Sequence, residues 1–240
     1  MKFIHTADLH ANKTRKEQII HILQTAREAA VKDSLIKFMI ISGDFWDFTM
    51  TATEASGFAE IIIEMERLQK VLPVYMIYGT PSHEPAGSLA VFDIMPNISV
   101  LPEGLHSIHI AEGLDVTFLA IPEPRLGRIE GDSLEDKYIC IQKKYEDLVK
   151  LASQKPEGNP LIVIFHGEVE GAVLQNGQKQ PAGKSAFPLK LLKELNADYI
   201  ALGHIHCPQK IEGINAWYPG SPCPKDFGEK HEGSFKIVEI

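Results

Sequence analysis

A chain of 240 residues with 44% hydrophobic content is long enough to bury a full core, and no run in it approaches the roughly 18 uninterrupted apolar residues of a membrane span. Its formal net charge of -8 argues against a protein whose affinity for nucleic acid comes from bulk positive charge, so any such contact has to be local. Cys140, Cys207 and Cys223 are an odd number without framework spacing, and the strand-like start MKFIHTAD is not a secretory leader, so a soluble cytoplasmic protein with reduced thiols is expected.

Short β-branched and aromatic runs alternate with helical spacing through the first two thirds of the chain, the pattern of a layered α/β fold. KFIHTAD reads as the first strand. Residues 16–31 repeat apolar positions three and four apart and predict a helix, and KFMIISGD is a second strand running into a Gly-Asp turn. A helix is expected over about 55–70, the strand PVYMIYG ends at Gly79, and another helix is expected over 138–152. LIVIFHG is the continuous apolar run of a buried strand. From Asp198 onward the texture changes to short strands, DYIALG, INAWYPG and SFKIVEI, between Gly and Pro turns, which predicts a mostly antiparallel sheet. The expected architecture is two sheets packed face to face with helices outside, as one domain over residues 1–240. The stretch from Gly171 to Pro188, rich in Pro, Gly and Lys, is the expected long surface loop.

Five segments carry metal-type side chains: Asp8-Leu9-His10, Gly43-Asp44, His83-Glu84, His166-Gly167 and Gly203-His204-Ile205-His206. Each follows a predicted strand, and loops at one edge of a sheet converge in space. Mixed carboxylate and imidazole ligands suit manganese, iron or zinc better than an all-oxygen magnesium or calcium site. Glycines before Asp44 and His204, and after His166, allow close backbone approach. Taken singly, these residues have bland readings. A lone histidine beside a strand is usually a surface or hydrogen-bonded residue, as His5, His21, His106, His109 and His231 are read here, and a lone Asp is often a turn residue or helix cap. Five such segments in order, each at a strand end, are not explained that way.

The order D-x-H, G-D-x-x-D, H-E, H and G-H-x-H resembles the calcineurin-like metallophosphoesterases, and GDFWD matches the second motif including Asp47. ALGHIHCPQ followed by WYPGSP and a terminal SFKIVEI is similar to the SbcD-type branch of DNA-repair exonucleases. The resemblance implies an α/β fold, a four-layer metallophosphoesterase sandwich of two mixed β-sheets with helices outside. It implies two divalent metal ions, most often manganese. Carried onto this chain, Asp8, His10, Asp44 and His206 would hold one ion, and the second would share Asp44 and take His166 and His204.

The family's remaining second-site ligand is the asparagine of G-N-H-D/E, and this chain reads Gly79-Thr80-Pro81-Ser82-His83-Glu84 instead. Ser82 precedes the histidine and would offer a hydroxyl, directly or through water, so the second ion is expected to be held more weakly. His83 would stand beside the scissile phosphate as electrostatic stabiliser or proton donor, with Glu84 orienting its ring. Asp47 is read as a hydrogen-bond acceptor behind the ligands or as a turn cap, and Cys207 as no ligand. Asn12, Lys13, Arg125 and Arg128 are candidate phosphate contacts, and Trp46 and Phe48 either stack on a base or pack beneath the metal loop.

Three functions compete: a metal-dependent phosphodiesterase acting on DNA as exonuclease or endonuclease, a small-molecule phosphoesterase, and a catalytically weakened metal-binding subunit. SbcD-like nucleases continue into a DNA-capping domain and a segment that grips an ATPase. With the chain ending at Ile240, neither extension is expected, and an SbcC-like ATPase partner would need another surface.

Overall fold

The computed structural model describes residues 1–47, 55–174, 177–181, 184–223 and 233–240, with residues 55–57 described by backbone alone. Phe48 and His231 lie outside the described residues. The expected runs form β1 (Lys2–Thr6), α1 (Lys16–Lys32), β2 (Ile36–Ile41), α2 (Ala55–Gln69) and β3 (Val74–Met76). The short β4 (Ile98–Val100) is followed by the hairpin of β5 (Gly104–Ala111) and β6 (Leu114–Ile121), then α3 (Leu134–Ala152) and β7 (Leu161–His166). The chain continues through α4 (Leu189–Glu194), β8 (Tyr199–Gly203), β9 (Gln209–Lys210), β10 (Ala216–Tyr218) and β11 (Lys236–Glu239).

Two mixed sheets result, ordered β11-β1-β2-β3-β4 and β5-β6-β7-β8-β10-β9. Their inner faces meet through Phe3, Phe38, Ile40, Phe118, Ile164 and Tyr199, all buried. Helix α1 turns Ile19, Leu23, Ala26 and Ala30 inward at four- and three-residue spacing, and with α2 it covers the outer face of the first sheet. Helices α3 and α4 cover the outer face of the second through Ile141, Tyr145, Leu148 and Leu192. The result is the expected four layers. Helix α3 begins one turn earlier than its apolar spacing predicts, because Ser133 and Asp136 form a reciprocal capping box that satisfies its first N–H groups.

The C-terminal strands differ from expectation. Rather than forming an antiparallel sheet, β8 and β10 extend the second sheet in parallel, β9 pairs antiparallel with β10 at its edge, and β11 crosses back to pair antiparallel with β1. YIALG is buried along its whole length, as a strand covered on both faces must be, and that environment belongs to parallel central strands. Strands β1, β2 and β3 run parallel in one sheet and β6, β7 and β8 in the other, so each sheet carries a row of carboxyl ends. Among the described residues no helix is long and apolar enough to cross a membrane.

Candidate metal centre

The candidate ligands sit just past those carboxyl ends, and the backbone there is bent. Asp8, His10, Asp44 and His204 have φ of 53, 46, 50 and 100°, in the left-handed region that costs a side-chain-bearing residue free energy. Two glycines make the approach possible. A Cβ on Gly203 would lie 2.0 Å from the carbonyl oxygen of Ser42, and one on Gly43, whose φ is 87°, would lie 2.3 Å from Nδ1 of His166. Both contacts are far inside van der Waals distance, so neither position accepts a side chain without moving the loop.

The first cluster joins β1 to the loop after β8. Asp8, His10 and His206 bring ligand atoms within 4.8 Å of one another. Nε2 of His10 lies 3.0 Å from Nε2 of His206 and 3.7 Å from Oδ2 of Asp44. On its other side, Nδ1 of His10 faces Oδ1 of Asp47 at 3.4 Å. Asp8 accepts the backbone N–H of His204 on both carboxylate oxygens, at 2.9 and 3.0 Å, which ties the first loop to the last.

The second cluster is centred on His166. Its Nδ1–H donates to the carbonyl of Ser42 at 2.7 Å, which leaves Nε2 as the donor atom on the open side. Nε2 lies 3.5 Å from Oδ2 of Asp44 and 3.9 Å from Oε2 of Glu123. Asp8, Asp44 and His166 form one set with ligand atoms within 4.8 Å, and Glu123, His166 and His204 form another. Asp44 therefore stands next to both histidine groups.

Charge is concentrated where water is scarce. Burial pushes the Asp8 carboxyl up to about 6, against the opposing influence of His166 and His206. Burial works the same way on Asp44, but His166, His10 and His83 outweigh it and hold its carboxyl well below the usual carboxylate range. For His166 burial opposes the charged form, yet Asp44, Asp8 and Glu123 raise it to about 10, while burial and the neighbouring His166 lower His204 to about 3. Without a cation, the clustered carboxylates keep a proton on His166. Buried carboxylates that call for positive charge, with several imidazoles beside them, are the donor set of a borderline divalent ion, so the residues present fit a metal pair.

Other expected residues take defined places. His83 is partly exposed, packs edge-on against the His10 ring at 4.9 Å, and turns Nδ1 toward the backbone oxygen of Asp47 at 3.4 Å. Glu84 does not contact His83 in this way. It is buried, and its carboxylate accepts the N–H groups of Phe45, Trp46 and Gly79 at 2.7, 3.0 and 2.7 Å, pinning the second and third loops together. Burial pushes Glu84 up to about 7, against those N–H donors. Ser82 is exposed, and it is the Thr80 hydroxyl that lies 3.2 Å from Nε2 of His166 and 3.4 Å from Nδ1 of His204.

Asn12 is spent within the fold, donating to Asp47 Oδ2 at 2.9 Å, and Lys13 and Arg128 are exposed. Arg125 donates to the backbone oxygen of Glu84 at 2.8 Å and lies over the Tyr78 ring. Trp46 is buried against Phe45, Phe58 and Phe92, which makes it a packing residue beneath the loop. Cys207 belongs to none of the candidate ligand sets among the described residues. Sequence reasoning missed Glu123. The one available signal was its position immediately after a strand, in the run PEP that follows β6.

Over 248 residues the chain is 22% identical to the SbcD component of the SbcCD nuclease of Staphylococcus epidermidis, covering 100% of this chain and 66% of that protein. It is 24% identical over 253 residues to the DNA double-strand break repair protein Mre11 of Methanopyrus kandleri, covering 95% of this chain and 50% of that one. The chain thus spans about two thirds to half the length of the curated relatives it matches. Among solved structures, phosphopantetheinyl hydrolase of Mycobacterium tuberculosis superposes with a TM-score of 0.52 at 12% identity over 99% of this chain and 95% of that one, a likeness of fold. The calcineurin-like phosphoesterase family profile matches residues 1–208, and with most of its length inside that match the chain belongs to the calcineurin-like phosphoesterases, hydrolases of phosphoric esters.

Proposed function

We propose that the chain is a metal-dependent phosphodiesterase acting on DNA in the cytoplasm, an SbcD-like DNA-repair nuclease that uses two divalent ions, with manganese the best match to the donor set. The observation that carries this reading is the meeting of Asp8, His10, Asp44, His166, His204 and His206 at one edge of the sandwich. Relatives matched along 95% or more of this chain are named for nuclease and double-strand break repair work, which supports DNA over a small phosphate as substrate. One of them is named as part of a larger nuclease, and a complex with an SbcC-like ATPase belongs to the same reading.

Asp8, His10, Asp44 and His206 would hold one ion, and Asp44, His166 and His204 the other. When bound, such a pair supplies Lewis acidity toward a phosphodiester and a water of lowered pKa. The protein's own contribution is placement. Asp44, close to both His10 and His166, holds the two sets in register. The Ser42 carbonyl keeps His166 in the tautomer whose Nε2 is free to ligate. His83, with Nδ1 turned to Asp47, would use Nε2 to donate a hydrogen bond or proton to the departing oxygen.

The test is a panel of linear and circular, single- and double-stranded DNA with manganese or magnesium, run beside bis(p-nitrophenyl) phosphate. Nucleotide release from linear DNA in manganese is expected. Turnover confined to the small ester would make the chain a small-molecule phosphoesterase, and metal binding without turnover a non-catalytic subunit.

A further inference from the structure

The second candidate ion faces a shortage of ligands if only the expected residues are counted. Where the family has an asparagine, this chain offers hydroxyls. The Thr80 backbone N–H donates to Oδ1 of Asp44 at 2.6 Å, and its hydroxyl reaches His166 and His204, so Thr80 occupies the spot that Ser82 was expected to fill. A neutral hydroxyl is a weak ligand. Asp44, His166 and His204 alone would leave the second ion with less negative charge than the first has from Asp8 and Asp44.

On the opposite lip, Glu123 leaves the end of β6. Its Oε2 lies 3.9 Å from Nε2 of His166 and 3.7 Å from Nδ1 of His204. The three ligand atoms fall within 4.8 Å of one another. That oxygen is buried and has no partner at hydrogen-bond distance among the described residues. A carboxylate oxygen withdrawn from water carries a desolvation cost that the nearby Thr80 hydroxyl and His166 offset only in part, and a cation at that point would remove the rest. The side chain as a whole is 27% exposed, so the position remains open to an ion from solution. Glu123 and Glu168 also line one small cavity of about 130 Å³ beside His204. Two carboxylates facing the same cavity repel a phosphate and favour a cation there.

The geometry points to Glu123 as a ligand of the second ion, a carboxylate taking the place of the family's amide beside Asp44, His166 and His204. This inference rests on the two-ion reading given above. It reverses the expectation drawn from Ser82, because the added negative charge makes the second site at least as attractive to a divalent ion as the first.

The experiment titrates MnCl2 into the metal-stripped full chain by calorimetry, with manganese content measured after dialysis, for wild type, Glu123→Gln and Glu123→Ala. Wild type is expected to bind two ions. Both variants should keep the first affinity and weaken the second by about 100-fold or more, since loss of even a hydrogen-bond partner behind a ligand costs about 10- to 100-fold. Two ions held by both variants as tightly as by wild type would overturn the role of Glu123, as would loss of both ions together. A wild-type chain that binds fewer than two ions would overturn the two-ion reading itself, and this inference with it.

Discussion

Oδ1 of Asp47 lies 3.4 Å from Nδ1 of His83, and the same oxygen lies 3.4 Å from Nδ1 of His10. Its partner oxygen is held by Arg15 Nη2 at 2.8 Å and Asn12 Nδ2 at 2.9 Å. One anchored carboxylate therefore stands behind a candidate ligand and the candidate proton donor, a geometry that supports reading Asp47 as an acceptor behind the site.

Asp47→Asn should accordingly weaken the first ion by about 10- to 100-fold through His10, the usual cost of losing a partner behind a metal-bound imidazole. Turnover at saturating metal should fall as well, because His83 loses its orienting charge. Calorimetric titration with manganese, paired with kcat on bis(p-nitrophenyl) phosphate, measures both. Unchanged affinity and unchanged kcat would reduce Asp47 to a turn residue.

His83→Ala should leave both ions bound while depressing turnover by about 10²- to 10⁴-fold, the range of positioned acid-base help. Metal content and rate measured on the same sample separate the alternatives. Loss of metal together with activity would make His83 a ligand, a role its place beside His10 and Asp44 puts within reach.

His5 gives a stability prediction independent of metal. It bridges the two sheets, with Nδ1 2.9 Å from the Tyr199 hydroxyl and Nε2 3.1 Å from Ser42 Oγ. Burial lowers its pKa from 6.5 to about 3. The unfolded chain therefore takes up a proton that the folded chain refuses, so this contribution is intact above about pH 6.5 and is lost as pH falls toward about 3, at up to about 1.4 kcal/mol per pH unit. Urea unfolding of wild type and His5→Gln in chelator at pH 7 and pH 5 should show the smaller loss in the variant. Equal losses would mean that the buried ring is not the acid-sensitive group.

The sequence made most of the site legible because its ligand types recur at strand ends in a fixed order, and the fold brings those ends together from two sheets. Glu123 was not legible, since one carboxylate between two prolines has no spacing to mark it. Ser82 was preferred as the replacement for the asparagine for a related reason. Counting back from His83 led to Ser82, whereas the fold counts forward from Gly79, whose N–H is held by Glu84 and whose Cα admits no side chain beside Asp44. The direction of β8 and β10 was misread because strands of three to five residues do not declare parallel or antiparallel pairing, although the unbroken apolar run of β8 already suited a central parallel strand.

Asp44 is proposed to serve two ions on which ester cleavage depends, and manganese content and phosphodiester hydrolysis of Asp44→Asn against wild type after exhaustive dialysis measure this directly. Removing one negative charge shared by two cations should empty both sites and abolish hydrolysis of linear DNA and of bis(p-nitrophenyl) phosphate. A variant that kept two ions per chain and full activity would mean that Asp44 is not shared between two ions.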